Sequence, residues 1–347
     1  MLAITEITGG HYAGFILVIL FFLALDLGVF HKEARVVRFK EALGWTAVWF
    51  TLSMAFSGYV YHLRGREEAL QYITGYIIEL SLSMDNVFVI ALIFAYFRVP
   101  LAYQHRVLFW GILGALVMRG VMIGVGAALI KTFAWTLYVF GAFLVFTGIK
   151  MMFGDDEGVE PEKNPIIRLV RKFYPVAKEF DGQKFTTEID GKKILTPLAL
   201  VLVMVETTDL IFAVDSIPAI FAITDKPFIV FTSNVFAILG LRSLYFVLAD
   251  AIGMFRYLKV GLSVVLVFIG VKMLADPHGK TPEWYQFKIP ITISLGVIAG
   301  IIIGSILLSL LVSKKEGKLP PDDQKPGAQP SAETDEAAGK DKGSGPK

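Results

Sequence analysis

Glu79-Leu80-Ser81-Leu82-Ser83-Met84-Asp85-Asn86 and its echo Asp209-Leu210-Ile211-Phe212-Ala213-Val214-Asp215-Ser216 decide how this chain is read. Each places two carboxylates six residues apart, followed by a small polar residue, inside runs of Val, Ile, Leu, Phe and Ala. A carboxylate in hydrocarbon costs at least about 2.5–3.5 kcal/mol, so it needs a cation, a proton or water beside it. The two segments together are therefore expected to hold an ion.

The surrounding chain is built for a bilayer. Of 347 residues, 55% are hydrophobic and only 18% charged, with a mean hydropathy of +0.62; a soluble domain would carry about 25% charge. Runs of roughly 20 apolar residues, enough to cross a membrane, fall at 11–30, 43–63, 70–97, 107–130, 133–153, 197–223, 228–249, 258–275 and 289–312. The expected fold is an all-α polytopic transmembrane helical bundle with about nine crossings. The first run is kept as a helix rather than a cleaved leader, since nothing basic precedes it and no small-residue cleavage site follows. With no cysteine, disulfides, thiolate metal sites and cysteine nucleophiles are excluded. No nucleic-acid footprint and no Gly-x-x-x-x-Gly-Lys-Ser/Thr loop is present, so the chain carries no ATPase motif of its own.

Charge sets the orientation. Lys32, Arg35, Arg38 and Lys40 follow the first run while residues 1–10 carry no Lys or Arg, which places the amino terminus outside and the carboxyl terminus in the cytoplasm. Nine crossings then leave only 6 Lys and Arg outside and most of the others inside.

The chain also repeats itself. Asp85 maps to Asp215 and Glu79 to Asp209 at an offset of 130, Arg119 to Arg242 at 123, and Lys150 in Gly-Ile-Lys-Met to Lys272 in Gly-Val-Lys-Met at 122. The organisation expected is two helices over 1–64, a first three-helix repeat over 65–153, and a cytoplasmic insert over 154–196. A second repeat over 197–276, a ninth helix over 277–313 and a disordered tail over 314–347 complete it. Three crossings per copy is odd, so the copies run oppositely through the membrane; such inverted repeats expose a midplane site to either side in turn. In the insert, Asp190-Gly191 between Lys184-Phe-Thr-Thr-Glu-Ile and Lys-Lys-Ile-Leu-Thr reads as a β-hairpin on a type I′ turn. Gly296, Gly300 and Gly304 permit close helix approach, within the chain or between copies.

Asp85 and Asp209 lie near the middle of their crossings, with Glu79 and Asp215 each about 9 Å further outward. Residues i and i+6 point about 120° apart on a straight helix, so each pair must bend or divide its partners. Pro218 offers the bend, freeing the Val214 carbonyl. Six acids sit within apolar runs (Asp26, Glu79, Asp85, Glu206, Asp209, Asp215) against two arginines, Arg119 and Arg242, an excess of four negative charges if all ionise. The expected division pairs the arginines with Glu79 and Asp209 and leaves Asp85, Asn86, Asp215 and Ser216 to face the ion, with Asp26 and Glu206 as candidate proton relays. Asn234 and Ser233 line a path or bond a neighbouring helix. The donors are carboxylates, an amide, hydroxyls and carbonyls, whereas His11, His31, His62, His105 and His278 fall at membrane edges or in loops. Oxygen sites of this kind suit manganese(II), calcium or magnesium better than copper or zinc.

At these motifs, namely Leu25-Asp26-Leu27-Gly28, Thr74 through Phe88, and Thr196-Pro197-Leu198 through Phe221, the sequence resembles the TerC family of integral membrane proteins, Alx-type members included. The likeness covers about residues 10–312. It implies manganese efflux across the bacterial plasma membrane, with Glu79, Asp85, Asp209 and Asp215 as metal-site positions. Excess negative charge argues against direct binding of tellurite, an oxyanion. The expectation is thus a non-enzymatic secondary transporter exporting a hard divalent cation, foremost Mn2+, in exchange for protons, with the lipid bilayer as its other partner and no resident cofactor. Its rival is a membrane scaffold whose acids only organise helices. An intramembrane aspartyl protease is disfavoured because no Gly-x-Gly-Asp context surrounds either aspartate.

Overall fold

Apolar backbone in hydrocarbon must satisfy its own N–H and C=O groups, which for these runs means coiling. The computed structural model describes residues 7–25, 39–133, 135–154, 164–189, 191–248, 257–276 and 288–315. Along them run α1 (Gly9–Leu25), α2 (Phe39–Arg64), α3 (Arg66–Tyr96), α4 (Leu101–Thr132), α5 (Thr136–Phe153) and α6 (Pro165–Phe173), then β1 (Thr186–Ile189) and β2 (Lys192–Leu195). α7 (Pro197–Phe221), α8 (Pro227–Leu248), α9 (Leu258–Ala275) and α10 (Ile291–Lys315) follow. The protein is an all-α polytopic membrane bundle with one small hairpin. Each of the nine expected runs has its described part on a helix, and seven (α3, α4, α5, α7, α8, α9, α10) are long and apolar enough to cross a membrane. α1 is apolar but has 17 residues. Proline opens α6 and α7 at their first position, where its missing N–H costs nothing. Gly65, at φ 90°, makes the break between α2 and α3.

Burial orders the helices. In α8, 94% of the most apolar stretch is buried, against 17% in α10, so α8 is the central pillar and α10 a peripheral helix. α3 packs on α8 and α7, and α4 closes the group against α7 and α8. Phe15, Phe56, Tyr72, Phe228 and Phe236 form an aromatic cluster at one end. Ile90, Phe94, Leu198, Val201, Leu244 and Tyr245 fill the other.

α5 and α9 meet backbone to backbone. A Cβ on Gly270 would lie 2.7 Å from the Gly141 carbonyl oxygen, and one on Gly148 would lie 2.8 Å from the Ser263 carbonyl oxygen. Shifting Gly148 by the offset of 122 gives Gly270, and shifting Gly141 gives Ser263, so the two contacts interchange equivalent positions. Of the two alternatives for Gly296, Gly300 and Gly304, packing within the chain is not seen among the described residues, where no neighbouring atom lies within 4 Å of a Cβ at these positions. α10 reaches α9 elsewhere, with Ser305 against Gly261.

In the insert, Thr186 pairs with Leu195 and Ile189 with Lys192, around Gly191 at φ 71°. The hairpin matches its sequence signature, although Asp190 itself lies outside the described residues. α6 is an addition to the expected insert.

Candidate functional site

Helix periodicity selects which polar residues meet. On α3, Glu79, Ser83 and Asn86 stand at i, i+4 and i+7, one face of the helix; on α7, Asp209, Ala213 and Ser216 stand likewise. All six are buried. Asp85 and Asp215, at i+6, leave these faces and are half-buried.

The faces close on Arg119 of α4, which is 2% exposed. Its Nη2 donates to Asp209 Oδ1 at 2.9 Å and its Nε to Asp209 Oδ2 at 3.3 Å, a two-pronged fork on one carboxylate. Its Nη1 pairs with Glu79 Oε1 and also reaches Ser216 Oγ and Asn234 Oδ1, each at 3.4 Å. Asn234 Nδ2 donates to Glu79 Oε2 at 3.0 Å, and Asn86 Nδ2 to Asp209 Oδ1 at 3.4 Å. Four helices thus contribute to one network. Arg119 serves both Glu79 and Asp209, which corrects the expected sharing of these acids between two arginines. Asn86 and Ser216 belong to the same ring rather than to a separate face. Asn234, expected to line a path or bond a neighbouring helix, bridges the guanidinium and a carboxylate.

Two carboxylates around one guanidinium leave one negative charge if both ionise. Two oxygens on the α3 face, Ser83 Oγ and Asn86 Oδ1, are buried without a hydrogen-bond partner among the described residues. Such atoms cost about 1–3 kcal/mol each when unsatisfied, and buried polar groups without protein partners are where water or an ion belongs.

The remaining candidates sit around this ring. Asp215 accepts a hydrogen bond from Thr147 of α5 and feels the charge of Lys150. The sequence count of internal cations considered arginines alone; the buried Lys272, whose Nζ donates to the Ala222 carbonyl at 3.4 Å, reduces the excess of negative charge, while Lys150 is exposed. Glu206, one turn before Asp209, is seated where Gly114 of α4 has no side chain: a Cβ there would collide with its carboxylate. Its Oε2 has no partner among the described residues. Asp85 and Arg242 are half-buried on α3 and α8. Asp26 lies outside the described residues. α7 remains helical through Pro218. Among the described residues no three His, Asp or Glu side chains converge as a ready-made cage, so the four carboxylates of the two motifs are not gathered in one pocket.

A cavity of about 700 Å³ opens at the ends of α3, α7 and α9 and the start of α10, lined by Glu67, Gln71, Thr224, Asp225, Lys272 and Asp276 among others. Beside it Glu68, an acid the sequence count missed, is held by Arg64 at 2.8 Å and Lys226 at 2.5 Å. Gln71 lies about 12 Å along α3 from Glu79, so the cavity approaches the Arg119 ring from one membrane face.

The sequence profile of the integral membrane protein TerC family matches residues 64–317, a range that holds every residue of the Arg119 ring. An uncharacterized membrane protein of Myxococcus xanthus is 52% identical over 84% of this chain and 88% of its own length. Proteins of Escherichia coli K12 and Salmonella typhi, each described as a proposed membrane-bound redox modulator Alx, are 45% identical over 83% of this chain and 90% and 89% of theirs. No solved structure matches. A family match across most of the chain, bacterial relatives aligned nearly end to end, and seven membrane-length helices make this chain a multi-pass member of the TerC family of integral membrane proteins.

Proposed function

We propose that the chain is a secondary transporter that exports a hard divalent cation, foremost manganese(II), in exchange for protons, and that the cation passes through the Arg119 ring. The observation that carries this reading is the composition of the ring. Glu79 and Asp209 share a single guanidinium, and Ser83 Oγ and Asn86 Oδ1 wait beside them without partners. In the ion-free state Arg119 stands in for the cargo. When a divalent cation enters, Arg119 withdraws, and the two carboxylates, the Asn86 amide oxygen and the hydroxyls supply an all-oxygen donor set of the kind hard cations prefer. Glu206, adjacent to Asp209 and lacking a partner at one oxygen, is the candidate to take up or release a proton as charge enters or leaves. Asp85 and Asp215 flank the ring as steps on the path.

The packed Ile123, Ile217, Ile220 and Val230 layer between the ring and the cavity and the packed Ile90, Phe94, Val201 and Tyr245 layer on the other side fit an occluded state. Interchange of equivalent contacts across α5 and α9 fits an inverted repeat. In this reading the protein sits in the bacterial inner membrane with its amino terminus outside and its carboxyl terminus in the cytoplasm, and it performs no covalent chemistry. The redox role in the name of its Alx relatives would act here through ion flux, since the chain has no thiol.

One observation favours the scaffold reading: every carboxylate oxygen of Glu79 and Asp209 has a protein partner. Flux separates the two. Inside-out vesicles carrying the full chain are expected to accumulate Mn2+ ahead of Ca2+ and Mg2+, and to lose this with Glu79→Gln or Asp209→Asn at unchanged protein level. A scaffold would show no ion movement in either form.

A further inference from the structure

α6 has no part in the transport reading, and its surface does not suit water. Its nine residues place Ile166, Leu169 and Phe173 at i, i+3 and i+7 on one stripe, with Arg168, Arg171 and Lys172 on the opposite arc. Ile167 turns inward and is 1% exposed, packed in the cluster of Leu198, Leu200, Val201 and Met204. The stripe itself is uncovered: Leu169 is 55% and Phe173 67% exposed, and Tyr174 continues it at 60%.

The height of α6 identifies what covers it. Asn164 caps the helix, its Oδ1 accepting from the Ile166 and Ile167 amides, while its Nδ2 reaches Met204 Sδ at 3.4 Å. Met204 lies about 10 Å along α7 from Pro197. α7 has 25 residues, about 37 Å, some 7 Å more than a hydrocarbon core of about 30 Å. The start of α6 is therefore about 3–7 Å inside the hydrocarbon edge, near the depth at which interfacial helices lie. Its far end descends to a cleft of about 320 Å³ lined by Arg171, Tyr174, Val176 and Leu200, beside the hairpin that precedes α7. An amphipathic helix with a basic polar face, lying at that depth, meets acyl chains on one side and headgroups on the other.

We propose that α6 is an interfacial anchor. It seats Ile166, Leu169 and Phe173 in the acyl boundary and sets Arg168, Arg171 and Lys172 against anionic phospholipid headgroups of the leaflet that carries the 154–196 insert. The assignment is independent of the transported ion.

The absence of cysteine makes a direct test simple. Single nitroxide labels on Leu169→Cys, Phe173→Cys and, as a control on the exposed hairpin, Glu188→Cys are placed in the full chain. The protein is reconstituted in phosphatidylcholine with or without phosphatidylglycerol. Labels at 169 and 173 are expected to collide more with oxygen than with a water-soluble nickel chelate, and the label at 188 the reverse. Phosphatidylglycerol is expected to move 169 and 173 further from the chelate, a shift lost when Arg168, Arg171 and Lys172 are all changed to Gln. Labels at 169 and 173 as accessible to the chelate as 188 would overturn the proposal. So would dipolar broadening from a second copy in both mixtures, or a depth indifferent to lipid charge.

Discussion

Arg119 is the residue on which the site depends. Removing one partner of a buried ion pair leaves an uncompensated charge and costs about 3–5 kcal/mol, so Arg119→Met is expected to lower the thermal midpoint of the purified protein sharply. The transport account adds a second expectation: Mn2+ restores much of that stability, because the vacated ring is a better cation site than the wild-type ring. A ring that only organises helices gives no such rescue. Gly114 carries a different prediction. Gly114→Ala pushes against the movable end of Glu206 rather than against backbone, so folding should survive. If Glu206 relays protons, Gly114→Ala and Glu206→Gln should shift the pH dependence of transport in the same way. The sequence disclosed the charged residues because a carboxylate in an apolar run is conspicuous. It did not disclose that the i+7 residues Asn86 and Ser216, and not the i+6 aspartates, share the face of Glu79 and Asp209, although helical periodicity contains that information. Asn234 could not be placed in advance, since only the packing of α8 against α3 brings it to Glu79.

At the scale of elements, the glycines of α5 and α9 contrast with those of α10. Gly270→Val would drive a side chain into the Gly141 carbonyl and the Val145 amide. Overpacking of this kind costs about 1–3 kcal/mol, read as a lowered unfolding midpoint. Ala at Gly296, Gly300 or Gly304 should leave that midpoint unchanged in the isolated chain. The hairpin responds to acid. The Thr187 hydroxyl and the Lys184 ammonium donate to Asp181, and these bonds hold its carboxyl below its ordinary range. A depressed pKa stabilises above the unfolded value and is lost as pH falls through the folded one. Amide protection at Thr186–Ile189 is therefore expected to hold at neutral pH and weaken in the acid range below the usual aspartate pKa, with Asp181→Asn removing the dependence. The hairpin was legible from its turn residues, and the long helices from their apolar runs. α6 was not, because nine residues alternating Ile, Arg, Leu and Lys fall below the length at which helical period separates from loop.

On the scale of the whole molecule, the bundle places its charges where α3, α4, α7 and α8 meet. Positions 122 residues apart exchange contacts across α5 and α9, the Arg119 ring joins α3 and α4 to α7 and α8, and a cavity opens at the far ends of α3 and α7. Composition made the membrane class readable, and the helices follow the expected runs. The partition of charge was less readable, because Lys272 near the end of α9 is buried in a way that only tertiary packing reveals. The central claim is that Arg119 holds the place of a divalent cation between Glu79 and Asp209. Its most direct measurement is Mn2+ binding to the purified full-length chain, followed by the loss of the free-ion paramagnetic resonance signal. The account predicts one saturable site per chain, tightened at least about tenfold by Arg119→Met, equivalent to about 1.4 kcal/mol, and abolished when Glu79→Gln and Asp209→Asn are combined. No binding in the wild-type chain, or binding that persists in the double variant, would contradict it.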